Sequence, residues 1–140
     1  MNQQRGEVVR LVVPGEPIPM ARPRIANHGR VYTPAKTKNY QKRIATVATL
    51  LKLSPAVGPV EVSCWFSLPR NKDGSETRKH GDLDNYAKNC LDALSHLAYD
   101  DDKQVVRLIA ERVDGSLEGW TAIEVREVLD LTGEAPGWAI

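Results

Sequence analysis

The run from His80 to Val106, HGDLDNYAKNCLDALSHLAYDDDKQVV, sets Asp82 and Asp84 one residue apart and places Lys88 four residues after Asp84. It closes on Asp100-Asp101-Asp102. Carboxylates at this density suit a hard cation, because Mg²⁺ takes oxygen ligands, often one or two carboxylates with waters and phosphate oxygens completing the shell. Three ionised carboxylates gathered at ~5 Å would repel by roughly 3 kcal/mol per pair at an effective dielectric near 20, and a divalent cation removes that cost. Each piece also has a plain reading. Asp-x-Asp before a helix serves as N-cap and dipole partner, three aspartates form a solvated turn, and Lys88 pairs with Asp84 at i,i+4. A calcium loop of the EF-hand type is excluded, since its third ligand would fall on Tyr86 and its obligatory Gly on Ala87. His80 offers a general base, a phosphate contact or an ordinary loop residue.

Convergence of these acids poses a geometric problem. A helix from Asp84 to about His96 is roughly 18–20 Å long, which leaves Asp102 at its far end. Leu97 to Asp102 could retrace about 20 Å if fully extended. Asp102 therefore joins Asp82 and Asp84 if that segment runs back along the helix, the arrangement expected here, or if it comes from a partner chain.

The elements that must position these groups follow from patterning. Glu7–Val13 is a β-branched run that stops at Pro14-Gly15 and reads as a strand. Residues 14–33 carry four prolines and read as irregular, with a turn at Asn27-His28-Gly29 and a short extended piece at Arg30-Val31-Tyr32. Thr33 then offers an N-cap, with Pro34 at the first helical position, for a helix over about 34–53 whose apolar face is Tyr40, Ile44, Val47, Ala48 and Leu51. Pro59–Pro69 alternates as a strand. A polar loop leads to a second amphipathic helix that starts at Asp82 or Asp84 and uses Leu83, Ala87, Cys90, Leu91, Leu94, Leu97 and Ala98. Gln104–Val113 and Trp120–Val128 read as two strands joined in a hairpin. The fold class expected is α/β: a single mixed sheet with two main helices packed on it, in the order β-α-β-α-β-β. Residues 1–130 read as one domain and 131–140, LTGEAPGWAI, as a tail.

Charge is divided along the chain. Residues 1–80 hold 14 Lys and Arg against 5 Asp and Glu, whereas residues 81–140 hold 5 against 13. A basic surface for a polyanion beside a separate acidic locus fits this split, as do two halves that attract each other. Candidate backbone contacts are Arg22, Arg24 and Arg30 in the proline-rich segment, Lys36, Lys38, Lys42 and Arg43 on the first helix, and Arg70, Lys72, Arg78 and Lys79 before Asp82. Trp65 points outward on its strand, where it could stack on DNA, join an interface or lie under a helix. Cys64 and Cys90 sit in apolar patterns and read as buried reduced thiols of a cytoplasmic protein. No apolar run approaches the roughly 20 residues of a membrane span, and MNQQRGE lacks signal-peptide character.

The block GDLDNYAKNCLDAL…DDDKQVV resembles the RusA family of Holliday-junction resolvases, which share D-x-D-N-x-x-K opening a helix, then Asp-Ala-Leu, then Asp-Asp-x-Gln-Val leading into a strand. Here these are Asp82, Asp84, Asn85 and Lys88, then Asp92-Ala93-Leu94, then Asp101-Asp102-Lys103-Gln104-Val105. GEPIPMARPRIANHGRVYTPAKTKNY similarly matches P-x-x-x-R-P-R followed by Tyr-Thr-Pro. Asp100 is an added acid, and the tail is unmatched. The resemblance implies a small homodimeric α/β endonuclease that requires Mg²⁺, with Mn²⁺ as an alternative, and cuts four-way or branched DNA by paired symmetric nicks in recombination and repair. It implies Asp82, Asp84 and Asp102 as catalytic metal ligands, with Asp101 as the alternative to Asp102, and Lys88 at the scissile phosphate.

Overall fold

The computed structural model describes residues 7–77, 80–113, 115–131, 133 and 135–139. Strand β1 (Val8–Pro14) buries Leu11 and Val13 and exposes Val12, the alternation of a sheet covered on one side. Two-residue strands β2 (Arg24–Ile25) and β3 (Val31–Tyr32) pair antiparallel around the expected turn at 27–29. Helix α1 (Ala35–Leu50) follows, then β4 (Val60–Ser67), α2 (Leu83–Leu94), a 3₁₀ turn (Asp102–Gln104), β5 (Val105–Arg112) and β6 (Trp120–Glu127). The α/β class and the two main helices are as expected; the small β2–β3 ribbon is an addition to the order.

The sheet runs β1-β6-β4-β5. β6 is antiparallel to both β1 and β4, whereas β4 and β5 are parallel and joined through α2. The expected hairpin between the last two strands is therefore wrong. β6 passes over β5 and enters between β1 and β4, where Ile123 and Val125 become fully buried as centre-strand residues. Both helices lie on one face, α1 against β1 and α2 against β5, and they contact each other. Trp65 belongs to the opposite face, aligned with Ala122 and Glu111, so it is not covered by a helix. Arg10, Glu124 and Arg126 extend that face as an ion ladder, with Arg10 Nε 2.8 Å from Glu124.

Helix boundaries depart from expectation for local reasons. Pro34, not Thr33, is the N-cap of α1: its extended backbone precedes the helix while its carbonyl accepts from Lys38 N–H. α1 stops at Leu50, which leaves Leu51 about half exposed instead of in the core. α2 stops at Leu94 because His96 turns to φ +70°, and its N–H bonds to the Tyr99 carbonyl at 2.7 Å, reversing the chain. Cys64 and Cys90 are buried and free, meeting between the sheet and α2; their mutual hydrogen bond and burial raise the Cys90 thiol well above its ordinary range. Tyr40, also buried, bonds Thr121 on the centre strand.

Candidate active site

α2 starts where the chain can no longer remain extended. Asp82 keeps β geometry as N-cap, and its carbonyl accepts from Asn85 N–H at 3.0 Å and Tyr86 N–H at 3.3 Å. Its side chain makes no capping hydrogen bond, so the carboxylate is not consumed by the helix end. Asp84 lies in the first turn, and both carboxylates are exposed in the favourable field of the helix N-terminus. Lys88, one turn later and exposed, forms no ion pair within 4.0 Å with Asp84 or Asp92 among the described residues.

The approach to Asp82 is built by close packing. Gly81 lies so tightly against Pro19 that a Cβ would sit 2.8 Å from the proline ring. Its N–H donates to the hydroxyl of Tyr86, whose buried ring contacts Phe66 at 5.5 Å. Met20 N–H donates to the Asn85 carbonyl at 2.9 Å, and Ala21 N–H to Thr37 Oγ1 at 3.3 Å. Asn89, wholly buried, donates to the Ile18 carbonyl at 2.9 Å and accepts from Gln41 at 2.8 Å. The proline-rich segment is thereby clamped between α1 and the first half of α2. A groove of about 500 Å³ opens along it, bounded by Pro19, Arg24, Lys36, Thr37, His80 and Tyr86.

Arg22, Arg24, Arg30, Lys36 and Lys38 are all exposed, and of these Arg24 and Lys36 border the groove. Arg78 and Lys79 lie outside the described residues. Arg43 has a different task. Its guanidinium donates to the Pro14 and Glu16 carbonyls and stacks 5.2 Å over Tyr40, fixing the exit from β1. Gly15, at φ +102°, is what admits it, for a Cβ there would collide with the Arg43 guanidinium. His80 is exposed, its Nδ1 3.0 Å from the Gly81 carbonyl oxygen.

The second acid group is ordered separately. Asp101 is the N-cap of the 3₁₀ turn and accepts from Lys103 N–H at 2.9 Å, a bond that holds its carboxyl below the usual range. Asp102 is exposed and spared from capping, and its hydrogen bond with Asp101 raises its carboxyl. Of the two, Asp102 is the one left over for a ligand. Gln104 organises the turn: its Oε1 accepts from Asp100 and Asp101 N–H, while its Nε2 donates to the Ala56 and Gly58 carbonyls at 2.8 and 2.9 Å. Replacement by Ala is expected to cost about 1–2 kcal/mol, since these four bonds are partly solvent-replaceable. It is also expected to lower any activity that uses Asp102 by about tenfold; paired chemical-denaturation and activity measurements would check both.

Within one subunit the two acid groups do not meet. Among the described residues, no three His, Cys, Asp or Glu side chains come together tightly enough to hold a metal ion. Leu97–Asp102 does not retrace α2 as expected. It folds into a tight reversal in which buried Tyr99 donates to the Leu91 carbonyl at 2.6 Å and the Asp102 charge falls beside Asp92. Asp84 lies eight positions before Asp92, about 12 Å of helix rise away. Asp92, whose carboxylate accepts from Gln41 at 3.0 Å, is not marked as a site residue by the sequence, because its neighbour across the turn depends on where the chain reverses.

Two comparisons bear on this arrangement. The family model described as endodeoxyribonuclease RusA matches residues 14–126. The uncharacterized protein YqaN of Bacillus subtilis (strain 168) is 32% identical over 140 residues, spanning 87% of this chain and 98% of its own length. The matched segment contains the proline-rich clamp, both acid groups, β4, β5 and nearly all of β6, while β1 precedes it. The chain belongs to the RusA endodeoxyribonuclease family.

Proposed function

We propose that this protein is a Mg²⁺-dependent endonuclease that resolves four-way DNA junctions by paired symmetric nicks, acting as a homodimer in recombination and repair. The observation that carries the reading is the pair of carboxylates at Asp82 and Asp84, with Asp82 free of capping duty, beside a groove bordered by Arg24 and Lys36. This donor set fits Mg²⁺, which accepts two carboxylates with waters and substrate phosphate. Asp82 and Asp84 would hold the ion, and Asp102 belongs to the set on the strength of the family pattern. When bound, the ion would activate water, polarise the phosphoryl oxygen and offset the charge of the leaving oxygen. Lys88 places a cation one turn from Asp84, suited to a phosphate oxygen. Mn²⁺, also a hard ion, suits the same ligands. No described helix is long and apolar enough to cross a membrane; a cytoplasmic location is part of the proposal.

A labelled synthetic four-way junction, incubated with and without Mg²⁺ beside flap and linear duplex, tests this directly. Symmetric nicks on the junction alone, dependent on the ion, are expected; equal cutting of flaps would redefine the substrate. The lack of a third acid near Asp82 and Asp84 within one subunit, among the described residues, favours a second reading, a branched-DNA-binding module without catalysis, which requires binding but no nicking with any metal.

Arg24→Ala and Lys36→Ala are each expected to weaken junction binding independently of sequence. Each should flatten the log–log salt dependence by about 0.9, the contribution of one phosphate. Affinities measured across a salt series would check the value.

A further inference from the structure

The β2–β3 ribbon stands out from the body of the molecule. From Arg22 to Tyr32 every residue is exposed except Ala26. Its shape is set internally: Ala26 N–H donates to the Arg30 carbonyl at 2.8 Å, and Gly29, at φ +81°, donates to the Ala26 carbonyl at 2.9 Å. Its roots are held by Ala21 on Thr37 and by Pro34 at the start of α1. A two-stranded ribbon alone is marginal in water, so one this short, held out in solvent, points to contact with something outside the fold.

The two faces of the ribbon differ in chemistry. Ile25 stands opposite Val31, and Arg24 opposite Tyr32. Opposed residues share a face and successive residues alternate, so one face is Ile25 with Val31 and the other Arg24 with Tyr32. Arg24 borders the groove that leads to His80 and Gly81, which puts the aliphatic pair on the far side of the ribbon. Ile25 and Val31 are 73% and 63% exposed, as a paired apolar patch and not as scattered residues. Around them the charge is of one sign. Arg22, Arg24 and Arg30 lie in the ribbon and its approach, and from Pro17 to Val60 the chain has no acid. A ligand for this element is therefore a polyanion that also offers a flat apolar surface. Continuous duplex DNA hides such surfaces inside its stack. A branch point exposes them, as the end faces of the base pairs where its arms begin.

We propose that the ribbon reads the branch point: Arg24 holds the backbone of the strand in the groove, while Ile25 and Val31 cover the end face of the last base pair of the adjoining arm. The aliphatic pair thus makes a contact that linear duplex cannot offer without unstacking a step. These are the residues by which the proposed nuclease would distinguish a junction from linear DNA. The assignment rests on the junction-binding part of that reading, not on cutting.

The test is Ile25→Ser combined with Val31→Ser, a double change that leaves charge untouched. Binding to a labelled four-way junction and to a linear duplex of the same arm sequence is measured in EDTA, where metal-dependent cutting is silent. The wild-type chain should favour the junction. In the double variant the ratio of the two affinities should fall about tenfold, the effect expected when two partly buried aliphatic side chains are lost. Its salt dependence should match wild type, because no phosphate contact is removed. Thermal unfolding should also be unchanged, since both side chains are exposed, and Ile25→Leu with Val31→Leu should keep the preference. An unchanged ratio, or an equal loss on junction and duplex, would overturn the proposal, as would a wild-type chain with no preference for the junction. If the double change alters the oligomeric state in size-exclusion chromatography and leaves the ratio unchanged, the patch is a protein contact and the proposal falls. A wild-type chain that prefers the junction yet cuts nothing with Mg²⁺ ends the nuclease reading, and the affinity ratio still decides the role of the ribbon.

Discussion

Asp84→Asn is expected to lower the rate of junction cutting at least ~10³-fold, about 4 kcal/mol of transition-state stabilisation, while junction binding is unchanged or tighter. The substitution keeps shape and removes one negative charge, which weakens cation binding and at the same time relieves repulsion of the DNA backbone. Asp82→Asn should behave alike. Asp82 also separates function from structure. Were its carboxylate a helix cap, Asp82→Ala would cost about 0.5–2 kcal/mol of stability. With no capping bond to lose, the folded state should hardly notice the change while cutting disappears. Single-turnover cleavage, gel-shift affinity and thermal unfolding on the same samples would decide. Full cutting by both variants would remove the assignment.

Asn89→Ala is expected to destabilise the protein by about 2–4 kcal/mol, the largest stability effect foreseen for a polar residue here. The wholly buried amide holds the Ile18 carbonyl and the Gln41 amide together. Truncation leaves that carbonyl without its donor and opens a void between α1, α2 and the proline-rich segment. Because Ile18 anchors the segment carrying Arg22 and Arg24, junction affinity should fall more than global unfolding explains, even at temperatures where the variant remains folded. Denaturant unfolding and binding isotherms at two temperatures would check both parts. Retained stability together with retained affinity would show that Met20–Asn85 and Ala21–Thr37 suffice to hold the clamp.

Much of this was legible from residue order. The alternation through Val60–Ser67 and the three-to-four spacing of Tyr40, Ile44 and Ala48 yielded their elements to within a few residues, because side-chain periodicity is local. The acid block was legible as chemistry for the same reason. What escaped was non-local. The insertion of β6 between β1 and β4 depends on sheet order, which the alternation of a single strand does not encode. The reversal at His96 turned on a positive φ at a residue that is not glycine, and it carried Asp102 to the wrong end of α2 for a one-chain site. Arg43 has the same sequence signature as the other cations of α1, and only the fold sets the carbonyls of Pro14 and Glu16 beside it. Gln104 was visible only as part of a motif, not as a four-bond tether.

The position of β6 has a consequence for biosynthesis. The strand that lies in the middle of the sheet is the last of the four to leave the ribosome, and until it arrives β1 and β4 have no common neighbour. α2 can settle on the β4–β5 pair, but α1, which lies against β1, must wait, and folding depends on contacts distant in sequence, which form slowly. The nascent chain can expose its aspartates and arginines long before they share a frame, and only emergence of Trp120–Glu127 converts a dispersed set of charges into a tool.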